Sequence, residues 1–104
     1  MDAKKRKRLE DKGWKIGSAD EFLGLAPEEA AYIEIRLALA ARLRERRQEQ
    51  HLTQVEMARR IGSSQSRVAK MEAGDPSVSL DLIVRSLLSL GASSEDLASA
   101  IRAA

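Results

Sequence analysis

Between residues 53 and 91 the chain three times opens a short segment with Thr or Ser and closes it with Gly: Thr53 to Gly62, Ser64 to Gly74, Ser79 to Gly91. A Ser or Thr oxygen satisfies an orphan N–H at a helix start, and Gly accepts the positive φ that ends one. The pattern therefore predicts a succession of short capped helices. Thr53 with Glu56 three residues later has the further signature of a capping box. Inside these segments Val55, Ala58 and Ile61, then Val68 and Met71, then Leu80, Ile83, Leu87 and Leu90 recur at helical spacing. No strand-like alternation and no internal repeat appears, so the fold class is all-α.

The flanks extend the same reading. Pro27 suits the first position of a helix, and Glu28 and Glu29 suit its positive end. That helix is expected to run to about Gln50, carrying Ile35, Leu39 and Leu43 and also Ile33 and Leu37. The stripe is wider than one face of a small bundle needs, so part of it should meet something besides the main core. Asp75-Pro76 marks a turn, and Ser93 or Ser94 opens a last helix with Leu97 and Ile101. Upstream, residues 1–17 are polar and basic, with Gly13 and Gly17 around Trp14-Lys15-Ile16, and Ser18 with Glu21 caps a short helix ending near Gly24. With 104 residues there is room for one domain plus an extension. The expected organisation is an arm and short helix over 1–26 and a five-helix domain over 27–104.

Composition removes several functions. Cys is absent and His occurs once, at position 51, beside a helix end where it suits the negative pole. There is no Gly-rich phosphate loop and no clustering of carboxylates, so no catalytic residues, no metal and no cofactor are expected. No secretion-type apolar region follows the basic start, and no apolar run nears the roughly 20 residues that span a bilayer. A soluble, cytoplasmic protein without membrane contact is the expectation. A formal net charge of +2 says little about partners, but its distribution says more. Lys4, Lys5, Arg6, Lys7 and Arg8 form one basic block, and Arg42, Arg44, Arg46, Arg47, Arg59, Arg60, Arg67 and Lys70 make a second region among interspersed carboxylates.

The stretch LTQVEMARRIGSSQSRVAKMEAG, residues 52–74, reads as a helix-turn-helix: two short helices separated by about four residues around Gly62. Ala58 sits where the helices cross closely, and Val55, Ile61, Val68 and Met71 are expected to face the core. Ser64, Gln65, Ser66, Arg67 and Lys70 are left outward on the second helix. Gln can pair with adenine, Arg or Lys with guanine, and Ser with bases or phosphate, which are the needs of a helix in a major groove. The plainer alternative is an ordinary helical hairpin. It does not account for base-reading types collecting on the outer face while the inner face stays small and apolar.

Gln54 after Thr53, Ala58, Gly62 and the Glu72-Ala73-Gly74 ending resemble the XRE-type repressors related to that of phage lambda, over residues 36–90. The resemblance implies a five-helix phage-repressor-like domain that binds double-stranded operator DNA. By position, Gln54 would bond a phosphate, while Ser64, Gln65, Ser66 and Lys70 would face bases. Arg67 would meet the DNA backbone, with a base also within its reach. Arg47 and Glu72 match a family ion pair that ties the first long helix to the end of the recognition helix. This class usually reads two half-sites as a C2 dimer. Leu87, Leu90, Leu97 and Ile101 are then either plain core or a homodimer seam.

Over the whole chain, Gly13-Trp14-Lys15-Ile16-Gly17, Glu21-Phe22-Leu23-Gly24-Leu25, Ile33-Glu34-Ile35-Arg36-Leu37 and SSQSRVAKMEAGDPSVSLDL resemble the HigA-type antitoxins of toxin–antitoxin operons. That resemblance implies a RelE- or HigB-like mRNA-cleaving toxin as partner, and repression of the chain's own operon at the nucleoid. A stand-alone or phage-type regulator without a toxin is the alternative, and an adaptor that reads no DNA is a third. The aromatics Trp14, Phe22 and Tyr32 divide these readings. They either pack back on the first long helix or anchor a partner. The Lys4–Arg8 block is likewise a solubilising tail or a grip on DNA or on an acidic partner surface.

Overall fold

A computed structural model describes Gly24 and residues 26–104 of the chain. The Lys4–Arg8 block, Trp14, the Ser18 cap with its short helix, and Phe22 lie outside the described residues. Five helices follow in order: α1 (Pro27–Glu49), α2 (Gln54–Ile61), α3 (Gln65–Ala73), α4 (Leu80–Ser89) and α5 (Ser94–Arg102). Among the described residues there is no strand, and no helix is long and apolar enough to cross a membrane. The described residues adopt the expected all-α, five-helix architecture. It divides into two compact units, residues 1–34 and 35–104. The described part of the first is chiefly the opening of α1, with Ala30 buried and Tyr32 and Ile33 exposed.

The second unit is built on its caps. Thr53 Oγ1 accepts the Glu56 N–H at 3.0 Å while the Thr53 N–H donates to Glu56 Oε1 at 2.8 Å, a complete capping box. Ser64, Ser79 and Ser93 accept the N–H of Arg67, Leu82 and Asp96 in the same way, so all three start helices. Gly62 and Gly74 close α2 and α3 in the left-handed conformation, at φ 69° and 70°. At that φ the following N–H turns back into the helix: Ser63 donates to the Ala58 carbonyl at 2.8 Å, and Asp75 to that of Lys70 at 3.0 Å. At the end of α1 the same job falls to His51, whose φ is 57°. Sequence reasoning saw this residue as a partner for the helix dipole and gave no sign of its backbone.

One core joins the helices of this unit. Leu39 and Leu43 of α1 meet Met57 and Ala58 of α2, Val68 and Met71 of α3, and Ile83 and Leu87 of α4, with Val78, Leu90 and Ala92 from the connections. Each fully buried Leu or Ile among them contributes about 1.5–3 kcal/mol. α5 contributes Leu97 and Ala100, which are partly buried. The expectation for Val55 needs correcting, since it is 52% exposed. With α2 starting at Gln54, the inward face is Met57, Ala58 and Ile61, and Val55 lies nearly opposite Met57. On α1 the stripe splits as its width implied: Leu39 and Leu43 are buried, while Ile33 and Leu37 are 39% and 49% exposed.

Long polar side chains of α1 tie down the loops. Arg36, itself buried, donates Nη1 to the carbonyls of Asp75 and Val78 across the α3–α4 connection. Arg46 Nε and Gln50 Nε2 both donate to the Leu90 carbonyl, at 3.0 and 2.6 Å, satisfying the C-terminal end of α4. Arg47 Nη1 reaches the Leu52 carbonyl at 2.8 Å and holds the α1–α2 turn.

Candidate nucleic-acid interface

α3 has nine residues, and burial fixes which way it faces. Val68 and Met71 are fully buried, so the helix has a defined inner side. Gln65, Ser66, Arg67 and Lys70 fall on the other side and are exposed, as is Ser64 at the amino end. Ser64 carries a structural duty as well, because its oxygen accepts the Arg67 N–H at 3.2 Å. Its hydroxyl hydrogen is left to donate. Among the described residues, no carboxylate lies within ion-pair distance of Arg67 or Lys70. Both cations are therefore available to an anionic partner.

Behind this face runs a chain of polar side chains. Arg47 grips Glu72 at two points, Nε to Oε2 at 2.6 Å and Nη2 to Oε1 at 3.0 Å. The planar fork of a guanidinium matches a carboxylate in this way. The hydrogen bond to Glu72, more than its charge, raises the Arg47 pKa above the ordinary value against the opposing effect of burial. The pair is well enclosed, with side-chain exposures of 12% for Arg47 and 4% for Glu72. Next, Gln54 Nε2 donates to Glu72 Oε1 at 3.2 Å. Gln65 Nε2 then donates to Gln54 Oε1 at 2.7 Å. The chain thus leads from a buried carboxylate, through a half-buried amide, to an exposed amide on α3.

Four of the residues singled out from the sequence, Arg47, Gln54, Gln65 and Glu72, are therefore brought into direct contact. Ser66, Arg67 and Lys70 share α3 with Gln65, and Ser64 caps it, but none of the four joins that chain. Tyr32 lies in the first unit and is 42% exposed. Two links escaped sequence reasoning, Gln54 to Gln65 and Gln54 to Glu72. Their separations, 11 and 18 residues, carry no local signal. The inner half of the interface was also read incompletely, because Met57 rather than Val55 supports α2 from within.

The chain matches none of the curated proteins and none of the solved structures compared with it. The family model described as Helix-turn-helix, HTH_3, matches residues 43–97. That span begins in the last turns of α1, contains α2, α3 and α4 whole, and ends inside α5. It takes in every residue of the polar chain and the outward face of α3. Matched over just over half of its 104 residues, the chain belongs to the HTH_3 helix-turn-helix family, the DNA-binding regulators of XRE type.

Proposed function

We propose that the protein is a transcriptional repressor that inserts α3 into the major groove of an operator. The observation that carries this reading is the polarity of α3. Gln65, Ser66, Arg67 and Lys70 are exposed above fully buried Val68 and Met71. Gln65 and Lys70, with Ser64 and Ser66, read base edges, and Arg67 meets the backbone or a base. Gln54 has one amide hydrogen committed to Glu72, and the other donates to a phosphate at the start of α2. Phosphate contacts fix the register and base contacts supply the discrimination.

Two copies of the chain bind two half-sites. Leu87 and Leu90 are occupied in the chain's own core, so the seam draws on Leu88 and Ile101, 49% and 41% exposed on α4 and α5. We further propose that the repressor is an antitoxin, with residues 1–26 and the exposed side of α1 at Tyr32 holding a RelE- or HigB-like toxin. Support for this part comes from the residues that resemble HigA-type antitoxins and from the apolar surface left open on α1. Such a protein works in the cytoplasm, at the nucleoid when bound to DNA.

A gel shift on the protein's own promoter tests the first part. Gln65→Ala and Lys70→Ala should each cost about 1–3 kcal/mol on the selected operator and relax preference at one base position. Equal losses on random DNA would remove base readout. For the second part, the reading frame adjacent to this gene is co-expressed with it. Failure to restore growth, or to co-purify, sinks the antitoxin reading and leaves a stand-alone XRE-type regulator.

A further inference from the structure

We propose that Lys70 is a modification site: an acyl phosphate held on Arg67 acylates the Lys70 amine, and the acylated chain releases its operator. The inference rests on the reading of Lys70 as a base contact and adds to it the chemistry that regulates that contact.

The sequence singles this residue out. Between Gly24 and Ala104, Lys70 is the single lysine, and every other basic side chain over that span, His51 apart, is an arginine. A guanidinium stays protonated in proteins and offers no lone pair to an electrophile. An amine does so once it has lost its proton, and lysine is the cation that acylation neutralises. The one such side chain of the span stands exposed on the outward side of α3, among the residues that read bases. An arginine would serve a guanine edge at least as well, since its fork bonds N7 and O6 together. Base reading alone therefore does not ask for lysine here.

The surroundings leave the amine open and give it a neighbour suited to phosphate. The side chains at helical spacing from Lys70 are Ser66, Arg67 and Ala73, none of them acidic. The next two carboxylates along the chain have other partners. Glu72 is gripped by Arg47, and Asp75 accepts the Ser77 N–H at 2.8 Å. Arg67 lies one turn before Lys70, exposed and, like Lys70, outside the ion pairs among the described residues. A free guanidinium bonds a phosphate at two points. An acyl phosphate docked there brings its carbonyl carbon to Nζ.

The step needs no further reagent. The lone pair of the neutral Nζ attacks the acyl carbon and forms a C–N bond. The bond from that carbon to the phosphate oxygen breaks, phosphate leaves with the electron pair, and the Nζ proton passes to water. The product is a neutral amide with one N–H, where the ammonium had a charge and three donors. It matches the two acceptors of a guanine edge poorly and carries acyl bulk into the groove. Bound operator in turn covers Nζ, so DNA and acylation exclude each other.

The test treats the full-length chain with acetyl phosphate and follows each lysine by peptide mass spectrometry. Lys4, Lys5, Lys7, Lys12 and Lys15 are the internal controls. Lys70 should react about fivefold faster than these or more, and saturating operator should protect it. Arg67→Ala, its fold checked by circular dichroism, should slow Lys70 to about the rate of the controls and leave theirs unchanged. Once Lys70 is acylated, the wild type should bind the selected operator about tenfold more weakly or worse. Lys70→Arg, treated alike and compared with itself untreated, should change by about twofold or less. If Lys70→Ala weakens operator binding but Lys70 reacts no faster than the controls, or keeps its rate in Arg67→Ala, the inference is overturned while base reading stands. Rapid acylation that leaves operator affinity unchanged also overturns it. If Lys70→Ala itself leaves operator binding unchanged, base reading by Lys70 falls and the inference falls with it.

Discussion

His51 and Gly62 do the same work with different side chains. Both end a helix in the left-handed region, at φ 57° and 69°. A side chain there crowds its own carbonyl and costs about 1–2 kcal/mol relative to Gly. His51 carries that strain at the end of α1, where the Leu52 N–H returns to the Arg47 carbonyl at 3.1 Å. His51→Gly should therefore raise stability by up to about 1 kcal/mol, the relief being partly offset by the freer unfolded chain. Gly62→Ala should lower stability by about 1–2 kcal/mol, and by strain alone, since a Cβ placed there meets nothing within 4 Å. Urea unfolding followed by helical circular dichroism separates the two. Both variants shifting the midpoint in one direction would contradict the common cause.

At the scale of the element, the caps make helix starts sensitive to acid. The Thr53 backbone N–H and then its hydroxyl hold the Glu56 carboxyl below its ordinary pKa. The Ser93 backbone N–H does the same for Asp96, helped by its hydroxyl and by Arg42 and Arg46. Asp75 is lowered by its bonds to Ser77. In each case the folded pKa lies below the unfolded one, so the folded state binds fewer protons in acid. The stabilisation is present above the ordinary carboxylate range and is lost as pH falls through the depressed values. Urea midpoints should stay level from about pH 7 to about pH 5 and fall below about pH 4. Glu56→Gln together with Asp96→Asn should lower the neutral plateau and flatten the acid limb. An unchanged limb would place the acid sensitivity elsewhere.

The same local character explains what was legible. Thr53, Ser64, Ser79 and Ser93 announce their helices because a cap bonds a backbone group three residues on, and such a signal survives in sequence. Val55 was misplaced for a related reason. α2 has eight residues, too few turns to define a face, and a β-branched residue looked more core-like than the Met57 that is buried instead. The outward set on α3 was readable because Val68 and Met71 fix its inner side three residues apart. The destinations of Arg36, Arg46 and Gln50, carbonyls about 40 residues away, were not readable at all. Neither were the amide contacts of Gln54, which depend on how α1, α2 and α3 converge.

For the molecule as a whole, α1 acts as a spine whose basic side chains are divided between internal and external use. Arg36, Arg46 and Arg47 are committed to carbonyls and to Glu72, and Arg42 lies within 4 Å of Glu45, Glu49 and Asp96. These charges do not add to a DNA-facing field in proportion to their number. Among the described residues Arg44, Arg59, Arg60, Arg67 and Lys70 stand outside the ion pairs, so this positive charge is shared among α1, α2 and α3. Binding to a selected operator should weaken linearly on a logarithmic salt scale, with a slope set by the phosphates neutralised. Arg67→Ala should reduce that slope by about 1 if its contact is to the backbone. Gln54→Ala should lower affinity by a similar factor at every salt concentration, since a neutral amide displaces no counterion. A slope that changes with Gln54 and not with Arg67 would reverse the roles proposed for them.

The convergence of three helices on Glu72 also bears on engineering. Exchanging the outward residues of a recognition helix is a common route to a new DNA preference, and it treats that helix as a detachable reading head. Here the head is wired through Gln54 of α2 to a carboxylate whose counter-ion sits on α1. A transplant of Ser64 to Lys70 onto another scaffold would carry Gln65 away from the side chains that hold it here, unless residues 47, 54 and 72 travelled with it.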